Sequence, residues 1–252
     1  MPININGSIN WRDFTIASLI IISFIGLFFI EPISQDLTYH NLADNRTILG
    51  INNFFDVVSN LPFLLAGLLG LFCIFKNWGV SNSWGWLILF VSVIFISFGS
   101  SYYHLNPENK TLTWDRLPMA IGFMALFVIV LTDYVNSKLG KWLLIPMCIV
   151  GIFSVVYWHI ADDLRMYAWV QFVSMALLLI IISVYKPTHL KTKYLIYAFI
   201  FYALSKIFEH FDKHIFELMS QSVSGHTIKH LLAAIATFFF YLLLKRRVTS
   251  DL

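Results

Sequence analysis

Between Phe14 and Ile30 no side chain is charged, and stretches of this kind recur along the chain with short polar breaks between them. They lie near residues 14–31, 54–75, 84–103, 117–135, 142–159, 167–185, 194–211 and 226–244. A helix needs about 20 apolar residues to cross ~30 Å of hydrocarbon, so the pattern predicts eight membrane-spanning helices. Two stretches are less clean than the rest. The second opens with Asp56, Ser59, Asn60 and Pro62, and the seventh closes with Lys206, Glu209 and His210. In both, the polar residues gather at one end. The first stretch has only Arg12 as a basic residue before it, lacks a small-residue cleavage site and exceeds a signal-peptide core in length, which predicts a retained helix.

With 58% hydrophobic and 12% charged residues, the chain has too few polar side chains to cover a soluble globule. It reads as an all-α, polytopic transmembrane helical bundle forming a single domain over residues 1–252, with its core at about 40–245. Cys73 and Cys148 lie far apart in apolar runs, so neither a disulfide framework nor a metal knuckle is available. Nothing resembles a nucleic-acid-binding module; the partners expected are the membrane and its lipids. A cytoplasmic N-terminus puts Arg12, Lys76, Lys138, Lys141, Lys186, Lys191, Lys193, Lys245, Arg246 and Arg247 inside, ten of the seventeen basic residues. That satisfies the positive-inside rule and places both termini in the cytoplasm. Seven of the eight histidines, all but His189, then fall in the outer half.

The candidate chemistry is concentrated there. Ser100 and His104 are i and i+4 at the outer end of the third span, on one helical face. Asp115 follows eleven residues later and precedes Pro118, which is expected in the first turn of the fourth span because its missing N–H would be unpaired there anyway. In "SGHTIKHLLAA", His226 and His230 share a face of the last span and can reach one ion. Three imidazoles with an open fourth position are a catalytic zinc set, which lowers the pKa of a bound water to about 7. Asp115 could then accept a proton and Ser100 could donate to an oxyanion, parts that suit amide hydrolysis. Taken singly, a helical HxxxH pair is more often two hydrogen-bonded histidines, and a lone serine more often a packing residue. Together they weigh more, because a central Asp costs about 2.5–3.5 kcal/mol on insertion scales. Axial haem ligation needs one histidine from each of two helices and fits less well. A non-hydrolytic lipid receptor or scaffold with a structural zinc is the alternative.

The motifs "GSSYYH", "WDRLPM" and "GHTIKH", with "NNFFDVVSNLPF" at the second span and "KIFEHFD" in the seventh, resemble the alkaline ceramidases. These belong to a wider group of membrane zinc hydrolases that includes the adiponectin-receptor-like proteins. The likeness runs from about residue 40 to the end and implies a seven-helix core in spans two to eight, with the first helix an addition. It also implies that His104, His226 and His230 bind zinc, that Asp115 assists the water, that Ser100 supports the oxyanion, and that the substrate is ceramide or a related N-acyl lipid. Eukaryotic relatives carry calcium before the first core helix. Here that region offers Asp44, Asn45, Asn52, Asn53 and Asp56 but lacks the acidic run Asp-Trp-Cys-Glu, and Arg46 can pair with Asp44 or Asp56 in a cation's stead, so calcium is not expected. Asp212, ahead of Glu209 and His210, matches a family aspartate and is the first choice for a carboxylate behind a zinc-binding histidine, with an ion pair to Arg116 or Lys213 as the alternative. His40, His159 and His214 are expected as exposed interfacial residues, and Tyr103, Trp158, Tyr167 and Trp169 as part of the aromatic belt.

Overall fold

A computed structural model describes residues 10–249, in which the single β-type pairing is the isolated bridge between Ile48 and Ile51. Both chain termini, expected in the cytoplasm, lie outside the described residues. The α-helices run α1 Trp11–Gly26, α2 Phe54–Val58, α3 Leu61–Lys76, α4 Ser83–Leu105, α5 Asn109–Tyr134, α6 Ser137–Ala161, α7 Arg165–Ala168, α8 Ser174–Val184, α9 Thr192–His210, α10 Asp212–Leu218 and α11 Gly225–Thr249. Among the described residues seven segments are long and apolar enough to cross a membrane: Trp11–Phe29, Phe54–Lys76, Ser83–Leu105, Asn109–Tyr134, Ser137–Ala161, Arg165–Val184 and Gly225–Thr249. The protein is therefore an all-α polytopic bundle. Where a seventh of eight spans was expected there is a helix, α9, packed on α11, but Lys193, Lys206 and Glu209 leave it too charged to be counted among the membrane-spanning segments, which number seven among the described residues and not eight. Lys206 and Glu209 pair with each other and line a polar chamber.

α5 is the axis of the bundle. Every residue from Met124 to Thr132 is buried, as expected of a helix that is apolar all round and surrounded by others. α4 and α6 flank it, α3 lies beyond α4, and the α9–α11 pair closes against α3. Large apolar side chains such as Leu65, Phe72, Phe98, Ile145 and Ile160 stay exposed, as lipid-facing positions should. α1 buries only Ile16, consistent with an added helix at the periphery. The segment after it is clasped to the turn before α7: Arg165 donates to the Leu27 and Ile30 carbonyls, and Leu164 N–H donates to Ile33 O at 2.8 Å. Arg165 also grips Asp163, whose carboxyl is thereby held down at about 2.

Pro118 corrects the sequence reading. α5 begins at Asn109, with a capping box between Glu108 and Thr111, so Pro118 stands inside the helix rather than in its first turn. Proline there cannot donate to the carbonyl four residues back, so the carbonyl of Trp114 lacks its usual helical donor. It faces Gly99 of α4 so closely that a Cβ at Gly99 would come within 2.1 Å of it. The proline and the glycine together bring α4 and α5 into near backbone contact, one residue from Ser100 on one side and from Asp115 on the other.

Candidate metal centre

Two helices deliver the three histidines to one end of the bundle. His104 lies in the last turn of α4, and His226 and His230 lie one turn apart at the start of α11. All three are buried, and their ligand atoms lie within 4.8 Å of one another. The His104 and His226 Nε2 atoms are 3.3 Å apart, which is about the N–N edge of a tetrahedron with 2.0–2.1 Å metal–nitrogen bonds. His230 Nε2 is buried without a hydrogen-bond partner among the described residues, although such atoms are normally satisfied. The group can hold a metal ion.

The contacts of Ser59 fit one His230 tautomer. The Ser59 hydroxyl lies 3.1 Å from the Asp56 carbonyl, which can only accept, and 2.8 Å from His230 Nδ1, so with its proton on the carbonyl it accepts from Nδ1–H. Nε2 then carries the lone pair. Ser59 comes from the break between α2 and α3, where α3 opens with Pro62 in its first turn. His104 is held through its main chain, its carbonyl accepting from Asn53 Nδ2 at 2.7 Å. The His226 lone pair faces the Lys229 ammonium at 3.1 Å, and Lys229 also pairs with Glu209 at 2.8 Å. A metal on His226 requires Lys229 to give up the first contact and keep the second.

Ser100 and Asp115 are buried side by side across the α4–α5 contact, and both line an apolar cavity that His230 and Lys229 also border. The cavity runs between α5, α8, α9 and α11 to Ile182, Leu195 and Phe240 at depth. On the other side of Asp115, Met119 and Lys229 lies the polar chamber, which those three residues share with Tyr39, Arg116, Tyr167, Gln171, Lys206 and Glu209. All five residues singled out from the sequence are thus at one place, the three imidazoles as a cluster and the serine and aspartate on the adjoining wall.

Several surrounding residues stand elsewhere than expected. Asp212 does not touch an imidazole; its Oδ1 accepts from the His226 backbone N–H at 2.8 Å and its Oδ2 from Ala43 N–H at 3.0 Å, which satisfies an amide at the start of α11 that has no helical partner. Nor does it pair with Arg116 or Lys213. His159 and His214 are exposed as expected, but His40 is half-buried, bonding Tyr103 OH at 3.0 Å and Asn109 Oδ1 at 2.9 Å. Tyr103, Trp158 and Tyr167 are not belt residues: they are buried, and Trp158 and Tyr167 face the Arg116 guanidinium at 4.2 and 4.9 Å, cation–π distances. Arg46 does pair with Asp44, through Nε to Oδ1 at 2.7 Å, whereas Asp56 accepts instead from Thr227 at 2.7 Å and Ser224 at 3.2 Å.

Ser59, Lys229 and Arg116 were given no role at this site from the sequence. A lysine inside "GHTIKH", between two candidate ligands in an apolar helix, was a signal in plain view. Neither a scan against protein-family models nor a search of curated proteins finds a match for this chain.

Proposed function

We propose that the protein is a zinc-dependent membrane amidohydrolase that cleaves ceramide or a related N-acyl lipid to a fatty acid and an amine. The observation that carries this reading is the buried three-histidine cluster, whose His230 borders an apolar cavity, with Asp115 and Lys229 on the wall that this cavity shares with a polar chamber. A lipid amide has the matching shape, an acyl chain on one side of the carbonyl and a polar group on the other. Neutral imidazoles suit zinc, and zinc when bound supplies Lewis acidity and a water acidic enough to ionise near neutral pH.

The chain's own groups supply the rest. Asp115 takes a proton from the attacking water as its oxygen adds to the carbonyl carbon. The Ser100 hydroxyl donates to the oxygen that becomes negative. The C–N bond then breaks, and Asp115 returns the proton to the departing nitrogen, leaving a carboxylic acid and an amine. The resemblance of "GSSYYH", "WDRLPM" and "GHTIKH" to alkaline ceramidase motifs points to the same chemistry.

Incubating the purified protein with fatty-acid-labelled ceramide and with simpler N-acyl amines tests the reading. Release of free fatty acid that stops on chelation and returns with zinc is the expected result. A protein that contains stoichiometric zinc yet releases nothing from any of them would instead be a lipid-binding receptor or scaffold.

A further inference from the structure

Arg116 is the residue in the polar chamber with the least to explain its charge. It is 7% exposed, and its Nη2 donates to the neutral Gln35 Oε1 at 2.7 Å. Its Nη1 is buried with no partner among the described residues. Trp158, Tyr167 and, at 5.7 Å, Tyr39 surround it and fix its place through their ring faces, which bring no negative charge. A guanidinium carries five N–H donors in a rigid fork that matches an oxyanion.

The charges around the chamber do not balance. Lys206, Lys229 and Arg116 give three positive charges, while Glu209 and Asp115 give two negative ones. Glu209 is held by both lysines, at 2.7 Å from Lys206 and 2.8 Å from Lys229, and by Tyr39 OH at 3.2 Å. Its charge is committed to them. The chamber of about 200 Å³ is far larger than the roughly 10–15 Å³ one water requires. A buried cation without a counter-ion is costly, and an anion that completes it recovers that cost.

We infer that this chamber receives an oxyanion, a carboxylate or a phosphate-type group, carried by the lipid on the side of the amide away from its acyl chain. The substrate class is then acidic N-acyl lipids, with Arg116 as the residue that selects the acid. The assignment of which end of the lipid lies here rests on the amidase reading; the charge imbalance does not.

The test compares N-palmitoyl-glycine with N-palmitoyl-glycinamide, which differ in that one charge, for both binding and hydrolysis by the purified protein in a neutral detergent. The acid is expected to bind about tenfold tighter than the amide. Arg116→Gln should abolish that ratio, and Lys206→Met, which lowers the chamber's charge but leaves the fork, should reduce it in part. Equal binding of the two by the wild-type protein overturns the inference whether or not Arg116→Gln folds, and it does so even if both are hydrolysed. Preference for the acid without hydrolysis of either would sustain the inference while removing the amidase reading. Palmitate and palmitamide form the control pair: if only that pair shows an Arg116-dependent preference, the chamber holds the fatty-acid product, and the inference fails.

Discussion

Ser59 has one proton to give, and with that proton on the Asp56 carbonyl the hydroxyl accepts from His230. Outer partners of this kind are worth about 10–100-fold in metal affinity. Ser59→Ala is therefore expected to weaken metal binding by that factor, measured by competition with a chelator, and unchanged affinity would show that Ser59 does not set the His230 tautomer. Asp115 tests a different function of the same site. Asp115→Asn keeps the shape and should keep the metal, since the three imidazoles are the ligand set, but should lower amide turnover by about 10²–10⁴-fold for want of a proton acceptor. Loss of metal in Asp115→Asn would make the carboxylate a ligand. At this scale the sequence was informative where spacing within one helix decided the matter, as for His226 and His230. It was blind where partners come from distant segments: the rings around Arg116 arrive from Tyr39, Trp158 and Tyr167, and no local pattern joins them.

Among the helices, apolar run length located the elements well but misplaced their ends, because polar residues continue a helix beyond the hydrocarbon. α5 starts at Asn109 although its apolar run starts near 117, and this is why Pro118 was assigned to a first turn it does not occupy. The consequence is testable at Gly99. A methyl group there meets the Trp114 carbonyl, which is backbone and cannot turn aside. Gly99→Ala should destabilise the protein by about 1–3 kcal/mol, as overpacking does. Forcing α4 and α5 apart should also impair any reaction that needs Ser100 and Asp115 together; a thermal unfolding midpoint equal to wild type would show that the contact yields without cost. The clasp between α1 and α7 gives a pH prediction. Arg165 lowers the Asp163 carboxyl to about 2, so its stabilising contribution is complete above the ordinary aspartate value near 4 and is lost as the pH falls through about 2. Amide exchange at Ile33 and Leu164, corrected for intrinsic rates, should stay slow at pH 5 and become fast near pH 2, and Asp163→Asn should be fast at both.

Across the whole molecule, the feature that neither helix packing nor site geometry settles is which face of the membrane the site opens on. The bundle puts His104, Asp115 and His226 at one end, and Lys76 at the end of α3 with the basic residues that follow α5 and α8 at the other. Positive charge near short loops favours the cytoplasm, so the site should face outward. Lys110 is exposed in the first turn of α5 and Ser137 is exposed at the start of α6, just past the other end of α5, a helix of 26 residues and so about 39 Å long. With Cys73 and Cys148 replaced by alanine, a cysteine at Lys110 is expected to react with an impermeant thiol reagent in intact cells, and a cysteine at Ser137 only after permeabilisation. The reverse pattern would turn the site toward the cytoplasm and draw its lipid from the inner leaflet. It would leave the histidine cluster and the chamber chemistry as they are, because those depend on contacts between helices and not on which way the bundle was inserted. Equal labelling at both positions would mean that the population is inserted in two orientations, and the excess of basic residues at one end would then be too small to decide the topology.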